Sequence, residues 1–488
     1  MQKVCWPYFD PEFDTLGERI YGPPCRVYID NDSIQDCTVV KVNSENKQGL
    51  LLEVVQILTD MNFIINKSYI SSDGEWFMDV FHVKDEHGNK VTDQSVINHI
   101  EQAIGTSTRK SSPVMEAKKT VSANNALESP VDQNEYTAIE LTGTDRPGLF
   151  SEISAALADL HCNVLEAHAW SHKDRLACIA HVSDDSTHTS IIDPTRLATI
   201  EDHLTTVIRA TANPTSNATH VGHKENEDNG FLAGKGSTCM NTNVERRLHQ
   251  LMLSVRDFEE PLPGAAASLS VSPPPSRSGG LEMEGCDQKE KKPTTVSVEN
   301  CERGYSIVTV KCKDRRRLMF DTVCTLIDMQ CVIFHASIYS NGADAFQEYF
   351  IRHLDGRALN TEGEKERVVN CLEAAIERRV CEGVKLELCA ESRVGLLSDI
   401  TRVLRENGLT IVRADVETQG QKSVNAFYVR DMSGNKIDME FVESVKKEMR
   451  PLHLAVKNDD ADAERGLQRR SFSLGDIFRS QMERLSLR

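Results

Sequence analysis

The stretch DRPGLFSEISAALADLHCNVLEAHAWS, Asp145 to Ser171, decides the fold. It opens on a tight turn, runs into a helical stripe and ends in an alternating strand. The same order returns in NKQGLLLEVVQILTDMNFIINKSYIS from Asn46, DRRRLMFDTVCTLIDMQCVIFHASIYS from Asp314 and SRVGLLSDITRVLRENGLTIVRADVET from Ser392. The turn closes on Gly49, Gly148, Arg317 and Gly395, each followed by Leu and, four residues on, by Glu53, Glu152, Asp321 and Asp399. Repetition on this scale marks an array of small similar units. The shortest interval between anchors, Arg317 to Gly395, sets the size of one unit, and longer intervals hold inserted linker.

Working outward from the turn, each copy begins with an apolar–polar–apolar strand: Val40-Lys41-Val42, Ile139-Glu140-Leu141, Val308-Thr309-Val310 and Leu386-Glu387-Leu388. That alternation buries one face. Leu50, Val54, Ile57 and Leu58 in copy one, and Leu396, Ile400, Val403 and Leu404 in copy four, fall on one helical stripe. The acid in the first turn faces the positive end of the helix dipole and reads as helix support, not as a general acid or metal ligand. Val164, Ile333 and Ile411 begin a second strand, in which Ala167, Ala336 and Ala414 leave room for a close neighbour. Asp73-Gly74 and Asn341-Gly342 are hairpin dipeptides. Third strands follow as WFMDVFHV, LACIAHV, FQEYFIRHL and VNAFYVRD, with Trp76, Phe77 and Phe81 expected in core and interface. A second helix, plainest in EKERVVNCLEAAIERR from Glu364, leads to a closing strand. The expected fold is α+β: four ferredoxin-like βαββαβ units with antiparallel sheets, paired side by side. Copies one and two pair, and three and four, or a second chain completes the pairing as a homodimer.

The boundaries expected are an N-terminal extension 1–35, copy one 36–106, linker 107–134, copy two 135–258 with an insertion at 211–243, linker 259–303, copy three 304–381, copy four 382–458 and a tail 459–488. The linkers are polar, and 259–300 carries Pro273-Pro274-Pro275 and a KEKK run. VERRLHQLMLSVRDFE (244–259) fits a helix through Leu248, Leu251, Met252 and Val255 and a strand through His249, Leu251, Leu253 and Val255; a displaced closing strand of copy two is the expectation.

A formal charge of −18 argues against a general nucleic-acid binder. No apolar stretch approaches a membrane span, and MQKVCWPYFDPEFD at the N-terminus lacks signal or transit character. Cytoplasm or nucleus is expected. The 14 Cys include no CxxC, and Cys162, Cys178, Cys312, Cys324, Cys331, Cys371 and Cys389 sit in apolar patterns, which reads as buried reduced thiol.

With these residues in hand, DRPGLFSEISAAL above all, the units resemble the ACT domain, a small regulatory module of βαββαβ order. Four copies, together with CRVYIDND, SSDGEWFMDVFHV, DTVCTLIDMQ and AFQEYF, are similar to the ACT-domain-repeat (ACR) proteins of plants. The resemblance implies that an amino acid or similar small metabolite binds between paired units, near the loop from first strand to first helix. Carried over by motif position, the ligand-binding residues are Asn46, Gly49 and Leu50, then Asp145, Gly148 and Leu149, then Gly395 and Leu396. Gly permits the turn and close backbone approach, and helix-start N–H groups can hold a carboxylate. The same glycines are required by turn geometry alone, and Asp145 can equally serve as a cap. In copy three Arg315-Arg316-Arg317 replaces the expected Pro and Gly, so that site is expected to refuse an ordinary amino acid, with an anion left open.

The resemblance implies a non-enzymatic sensor that signals to a protein partner and carries no cofactor. The alternative is an interaction scaffold whose units no longer bind ligand. The repeats also resemble the C-terminal part of uridylyltransferases, but no nucleotidyltransferase, P-loop or metal phosphohydrolase motif is present in the sequence, so no catalytic or metal-ligating residue is assigned. The run HVSDDSTH from His181, with His168, His172, Asp184 and Asp185 nearby, reads as a solvated turn after a strand. In the tail, Ser471 and Ser473 follow Arg469-Arg470 as candidate phosphorylation sites, and Leu474, Ile477, Phe478 and Leu485 outline a short amphipathic helix.

Overall fold

The computed structural model describes residues 25–47, 49–73, 76–110, 136–210, 230–235, 243–259, 294–380, 383–432, 437, 439–449 and 453–457. Copy one comprises β1 (Arg26–Asp30), β2 (Thr38–Glu45), α1 (Leu50–Asp60), β3 (Ile64–Asp73), β4 (Trp76–Lys84) and α2 (Gln94–Lys110). Copy two comprises β5 (Thr137–Thr144), α3 (Leu149–Asp159), β6 (Cys162–His172), β7 (Arg175–Asp184), α4 (Pro194–Arg209) and β8 (Gly230–Lys235), followed by α5 (Val244–Ser254). Copy three comprises β9 (Thr295–Cys301), β10 (Tyr305–Lys313), α6 (Leu318–Asp328), β11 (Cys331–Ser340), β12 (Asp344–His353) and α7 (Glu362–Glu377). Copy four comprises β13 (Val384–Glu391), α8 (Leu396–Glu406), β14 (Leu409–Gln419), β15 (Lys422–Asp431), α9 (Met439–Glu448) and β16 (His453–Lys457).

The ferredoxin-like layout recurs four times, but its fourth strand comes from two sources. Copies two and four follow βαββαβ, with β8 and β16 pairing antiparallel to β5 and β13. In copies one and three that edge is filled from upstream, by β1 against β2 and β9 against β10. Either route gives the first strand an antiparallel partner. The N-terminal extension and second linker expected from sequence therefore each hold a strand of the neighbouring copy. The segment from Val244 is a helix, correcting the expected strand. Asn243 caps it by accepting from the Arg246 N–H, and Leu248, Leu251 and Met252 are buried at helical spacing. The closing strand of copy two is instead β8, inside the expected insertion.

The expected pairing of neighbouring copies is also corrected: copy one pairs with three and copy two with four, within one chain. The described residues form two compact units on those lines. In the first, one sheet runs β1-β2-β4-β3-β11-β12-β10-β9; in the second, β16-β13-β15-β14-β6-β7-β5-β8. The seams are antiparallel pairs of second strands. Ala336, Ser337 and Ile338 stand opposite Ile70, Tyr69 and Ser68. Ala414, Asp415 and Val416 stand opposite Ala169, His168 and Ala167. The small residues expected to admit a close neighbour do so here, and α1 meets α6, and α3 meets α8, over the seams.

Within each unit the helical stripes bury against one sheet face. In the first, Leu52, Val55, Leu58, Phe320, Val323 and Leu326 close on Val40, Phe81, Val308 and Tyr349. In the second, Ile153, Leu157, Ile400 and Leu404 close on Ile139, Leu141, Leu386 and Phe427. Phe77 and Phe81 are core residues, whereas Trp76 lies on the other side of its strand and donates to Asn43 Oδ1. Cys162, Cys178, Cys312, Cys324, Cys331 and Cys371 are buried free thiols, but Cys389 is exposed. Burial pushes the Cys178 and Cys331 thiols up to about 12, so they behave as small apolar groups. His181 to Asp184 are buried residues of β7, not the solvated turn expected. Gly74 lies outside the described residues. No helix among the described residues is long and apolar enough to cross a membrane.

Candidate functional site

The turn before each first helix is held by a residue in the left-handed region: Gly49 at φ 88°, Gly148 at 86°, Arg317 at 63° and Gly395 at 77°. Glycine adopts this without a Cβ clash, whereas an L side chain costs roughly 1–2 kcal/mol. Arg317 carries that cost in copy three. No side chain caps these four helices, so first-turn N–H groups are left without intrahelical acceptors.

Side-by-side pairing sets the turns of copies two, three and four against the end of the partner copy's first helix and the start of its second strand. Three clefts form there. One, about 450 Å3 to its open mouth, joins Asp314–Phe320 and Gln347 of copy three to Thr59 and Phe63–Ile65 of copy one. A second, about 360 Å3, joins Ser392, Arg393 and Gly395–Ser398 of copy four to Ser154, Ala158, Cys162 and Val164 of copy two. A third, about 230 Å3, joins Arg146 and Gly148–Ser151 of copy two to Thr401, Arg405 and Leu409–Ile411 of copy four. These volumes run out into open solvent, so the clefts are shallow, the third the narrowest, and their size alone selects no ligand.

Of the residues predicted from sequence, Gly148 and Leu149 line the narrow cleft, and Gly395 and Leu396 line the cleft of copy four. Asn46, Gly49, Leu50 and Asp145 line none of these three. Leu50, Leu149 and Leu396 are buried as the first core residues of their helices. Ser471 and Ser473 lie outside the described residues.

Asp145 has a local role. It accepts from the Arg146 N–H at 2.8 Å and from Ser171 Oγ. Asp314 accepts from Ser340 Oγ in the same way. Burial pushes the Asp145 carboxyl up to about 6, against the pull of the Ser171 and Arg146 bonds. Its folded-state value lies above the usual carboxylate range, so its stabilising contribution is complete below pH ~4 and is lost as pH rises through about 6. The ceiling on that loss is roughly 3 kcal/mol. Asp145→Asn, which copies the amide of Asn46, is expected to gain on the wild type as pH rises from 4 to 7. Unfolding curves of the two proteins that stay parallel over that range would show that Asp145 does not carry the slope.

Sequence reasoning missed a repeated ion pair. Two residues before each anchor stands a base, Lys47, Arg146, Arg315 or Arg393, and four after it an acid. Arg146 grips Glu152 through two bonds, one of 2.7 Å, and Arg315 holds Asp321 at 2.7 Å. Arg393 holds Asp399 at 2.5 Å. Arg146 and Arg315 also donate to the Val207 and Ile376 carbonyls, near the ends of α4 and α7, where the helix dipole favours a cation. The recurring base was the available signal. The residues contributed by the partner copy, such as Thr401 and Arg405, gave none, because they follow from the pairing. Among the described residues, no three His, Cys, Asp or Glu side chains gather as metal ligands.

The profile of the ACR family N-terminal ACT domain matches residues 33–111, and that of the ACT domain matches 135–212. The chain is 75% identical to the ACT domain-containing protein ACR2 of Arabidopsis thaliana, covering 100% of this chain and 99% of that protein. It is 49% identical to ACT domain-containing protein ACR3 of the same plant, covering 92% and 90%. A short stretch, 18% of this chain and 9% of the other, is 37% identical to the bifunctional uridylyltransferase/uridylyl-removing enzyme of Azospirillum brasilense. Among solved structures, aspartate kinase from Synechocystis matches at 9% identity over 66% of this chain and 43% of its own, with a TM-score of 0.16.

Proposed function

The chain belongs to the ACR family of ACT-domain proteins, and from that premise we propose a non-enzymatic regulator that binds an amino acid or related small metabolite. It acts in the cytoplasm or nucleus and passes occupancy of its interface clefts to a protein partner. The observation that carries this reading is the recurrence of one geometry. Each cleft combines an uncapped helix start of one copy with the helix end and second strand of its partner. A carboxylate suits the N–H groups and positive dipole end of the helix start. In the cleft of copy four, Ser392, Thr418 and Ser423 supply oxygens for an ammonium group. In the cleft of copy three, the charge of Arg315, Arg316 and Arg317 favours an anionic metabolite. A ligand bridging two copies shifts their packing only by its difference in affinity for the two arrangements.

One observation favours the scaffold as a second reading: Arg315 is committed to Asp321 and the Ile376 carbonyl, so the loop of copy three acts as a brace.

Thermal-shift screening of the full chain against the twenty amino acids and a set of anionic metabolites, followed by calorimetry, separates the two. A ligand at a hundred times its Kd stabilises the native state by about 2.7 kcal/mol. The shift is expected to vanish in Gly148→Ala or Gly395→Ala. At Gly148 an added methyl comes within 2.9 Å of Arg405 Cδ at the cleft, whereas at Gly395 it meets open space and only the backbone is strained. Folded protein that responds to nothing in the panel sinks the sensor and leaves the scaffold.

A further inference from the structure

In the second unit the sheet face opposite the core helices is covered. There α5 lays Leu248, Leu251, Met252 and Val255 over Trp170, Ala177 and Ile179, leaving Trp170 only 1% exposed. Aligning the anchors Gly148 and Arg317 puts Tyr339 of copy three at the repeat position of Trp170, and Phe346 at that of Ala177. The register repeats as well. Trp170 stands opposite Ala177 and Arg413, and Tyr339 opposite Phe346 and Lys67. Yet Tyr339 is 53% exposed and Phe346 38%. Tyr69 and Met78 of copy one carry the patch across the seam, at 41% and 38%. All four point away from the core, since their strand neighbours Ile338, Ala345, Ile70 and Phe77 are buried in it. Among the described residues nothing buries them, and an apolar patch running over four adjacent strands marks an interaction site.

We propose that this face is the docking site of the chain's own C-terminal segment, Leu474–Leu485, folded as an amphipathic helix across Tyr339, Phe346, Tyr69 and Met78 as α5 lies on Trp170. Leu474, Ile477, Phe478, Met482 and Leu485 recur at helical spacing, with Arg479, Glu483 and Arg484 between them. Ser473 followed three residues later by Asp476 is a capping-box start placed at the head of that stripe. The size fits: a helix from Leu474 to Leu485 is roughly 18 Å long, and β4-β3-β11-β12 span about 14 Å from first to last axis. The chain supplies the occupant: thirty-one residues, 458–488, follow the last described strand, β16, and sixteen of them, 458–473, precede this helix. The central part of the second sheet's outer face is already taken by α5, so the first sheet offers the unfilled counterpart.

Replacing Tyr339 with the photo-reactive p-benzoylphenylalanine in the full chain tests this directly. Irradiation is expected to join position 339 to peptides from 474–485 of the same chain. The product should fall at least tenfold in the double variant Ile477→Asp/Phe478→Asp. The same probe at Val244, which packs against the Trp170 cluster, must capture the second sheet and so shows that the chemistry works. In parallel, a chain ending at Lys457 is expected to gain fluorescence from a dye that binds apolar surface. Capture of a second copy, shown with mixed isotopic labels, or no capture at 339 while Val244 captures, overturns the proposal, as does an unchanged dye signal.

Discussion

Arg315→Ala is expected to destabilise the first unit by about 3–5 kcal/mol, because it strips a buried carboxylate of its cation. Asp321 is fully buried and Arg315 is 17% exposed, with 2.7 Å between Nη1 and Oδ2. The guanidinium also donates at 3.1 Å to the Ile376 carbonyl, so its removal loosens the first-helix turn and the end of α7 together. Arg393→Ala deletes the same position of the repeat in copy four. There the side chains are 57% and 40% exposed, water takes over the carboxylate, and the expected loss is only about 0.2–1 kcal/mol. Arg315→Lys keeps the charge but not the fork that reaches both partners and should fall between these limits. Removing both charges, as Arg315→Met with Asp321→Leu, should recover most of the loss, since a desolvated pair gains little over packed apolar groups. Urea unfolding of the full chain gives the magnitudes, and hydrogen exchange read by peptide assigns them to a unit. If Arg315→Ala costs no more than Arg393→Ala, the brace is not what holds the turn of copy three.

That contrast shows what the sequence could and could not convey. The repeat unit, its strand alternation and its helical stripes were legible because they are periodic and local. The glycine anchors were legible because only a left-handed turn explains them. The acid after the anchor was legible as part of the helix, but not as one end of an ion pair. The dipole argument accounted for its charge completely and left nothing to send attention to the base before the anchor. The route of the fourth strand in copies one and three was hidden for another reason. A strand entering from upstream and one returning from downstream satisfy the same sheet edge, and RVYID and TVSVENC carry weak alternation beside long polar stretches. The clefts were anticipated as places between copies, but half of each lining belongs to whichever copy pairs, and pairing is a long-range choice.

A signal for that choice does exist in the seam, and it leads to an expected pH dependence. At the same repeat position copy two has His168, copy four Asp415, copy one Tyr69 and copy three Ser337. In the second unit His168 Nδ1 lies 3.0 Å from Asp415 Oδ1, and its Nε2 lies 2.9 Å from Glu166 Oε1. Arg413 holds the other oxygen of Asp415 at 2.9 Å, and His181 the other oxygen of Glu166 at 2.8 Å. An imidazole between two carboxylates donates from both nitrogens only when protonated. Burial opposes that charge, yet the Asp415 and Glu166 bonds overcome it and push His168 up to about 10. The folded-state value lies above the unfolded one, so the seam's stabilisation is complete below pH ~6.5 and is lost as pH rises through about 10. The ceiling on that loss is roughly 5 kcal/mol. His168→Gln should be less stable than the wild type at pH 7 and show no matching decline, so the two unfolding curves converge towards pH 10. Curves that stay parallel would remove the charge from His168. The first unit, with Tyr69 opposite Ser337, supplies no such pair and should keep its seam across that range. Exchanging partners would set His168 against Tyr69 and Asp415 against Ser337, breaking the cross-seam pair and leaving each group only the partner from its own copy, Glu166 or Arg413. That penalty selects copy four for copy two, and Asp415→Ser is accordingly expected to weaken the seam between copies two and four while leaving the seam between one and three intact.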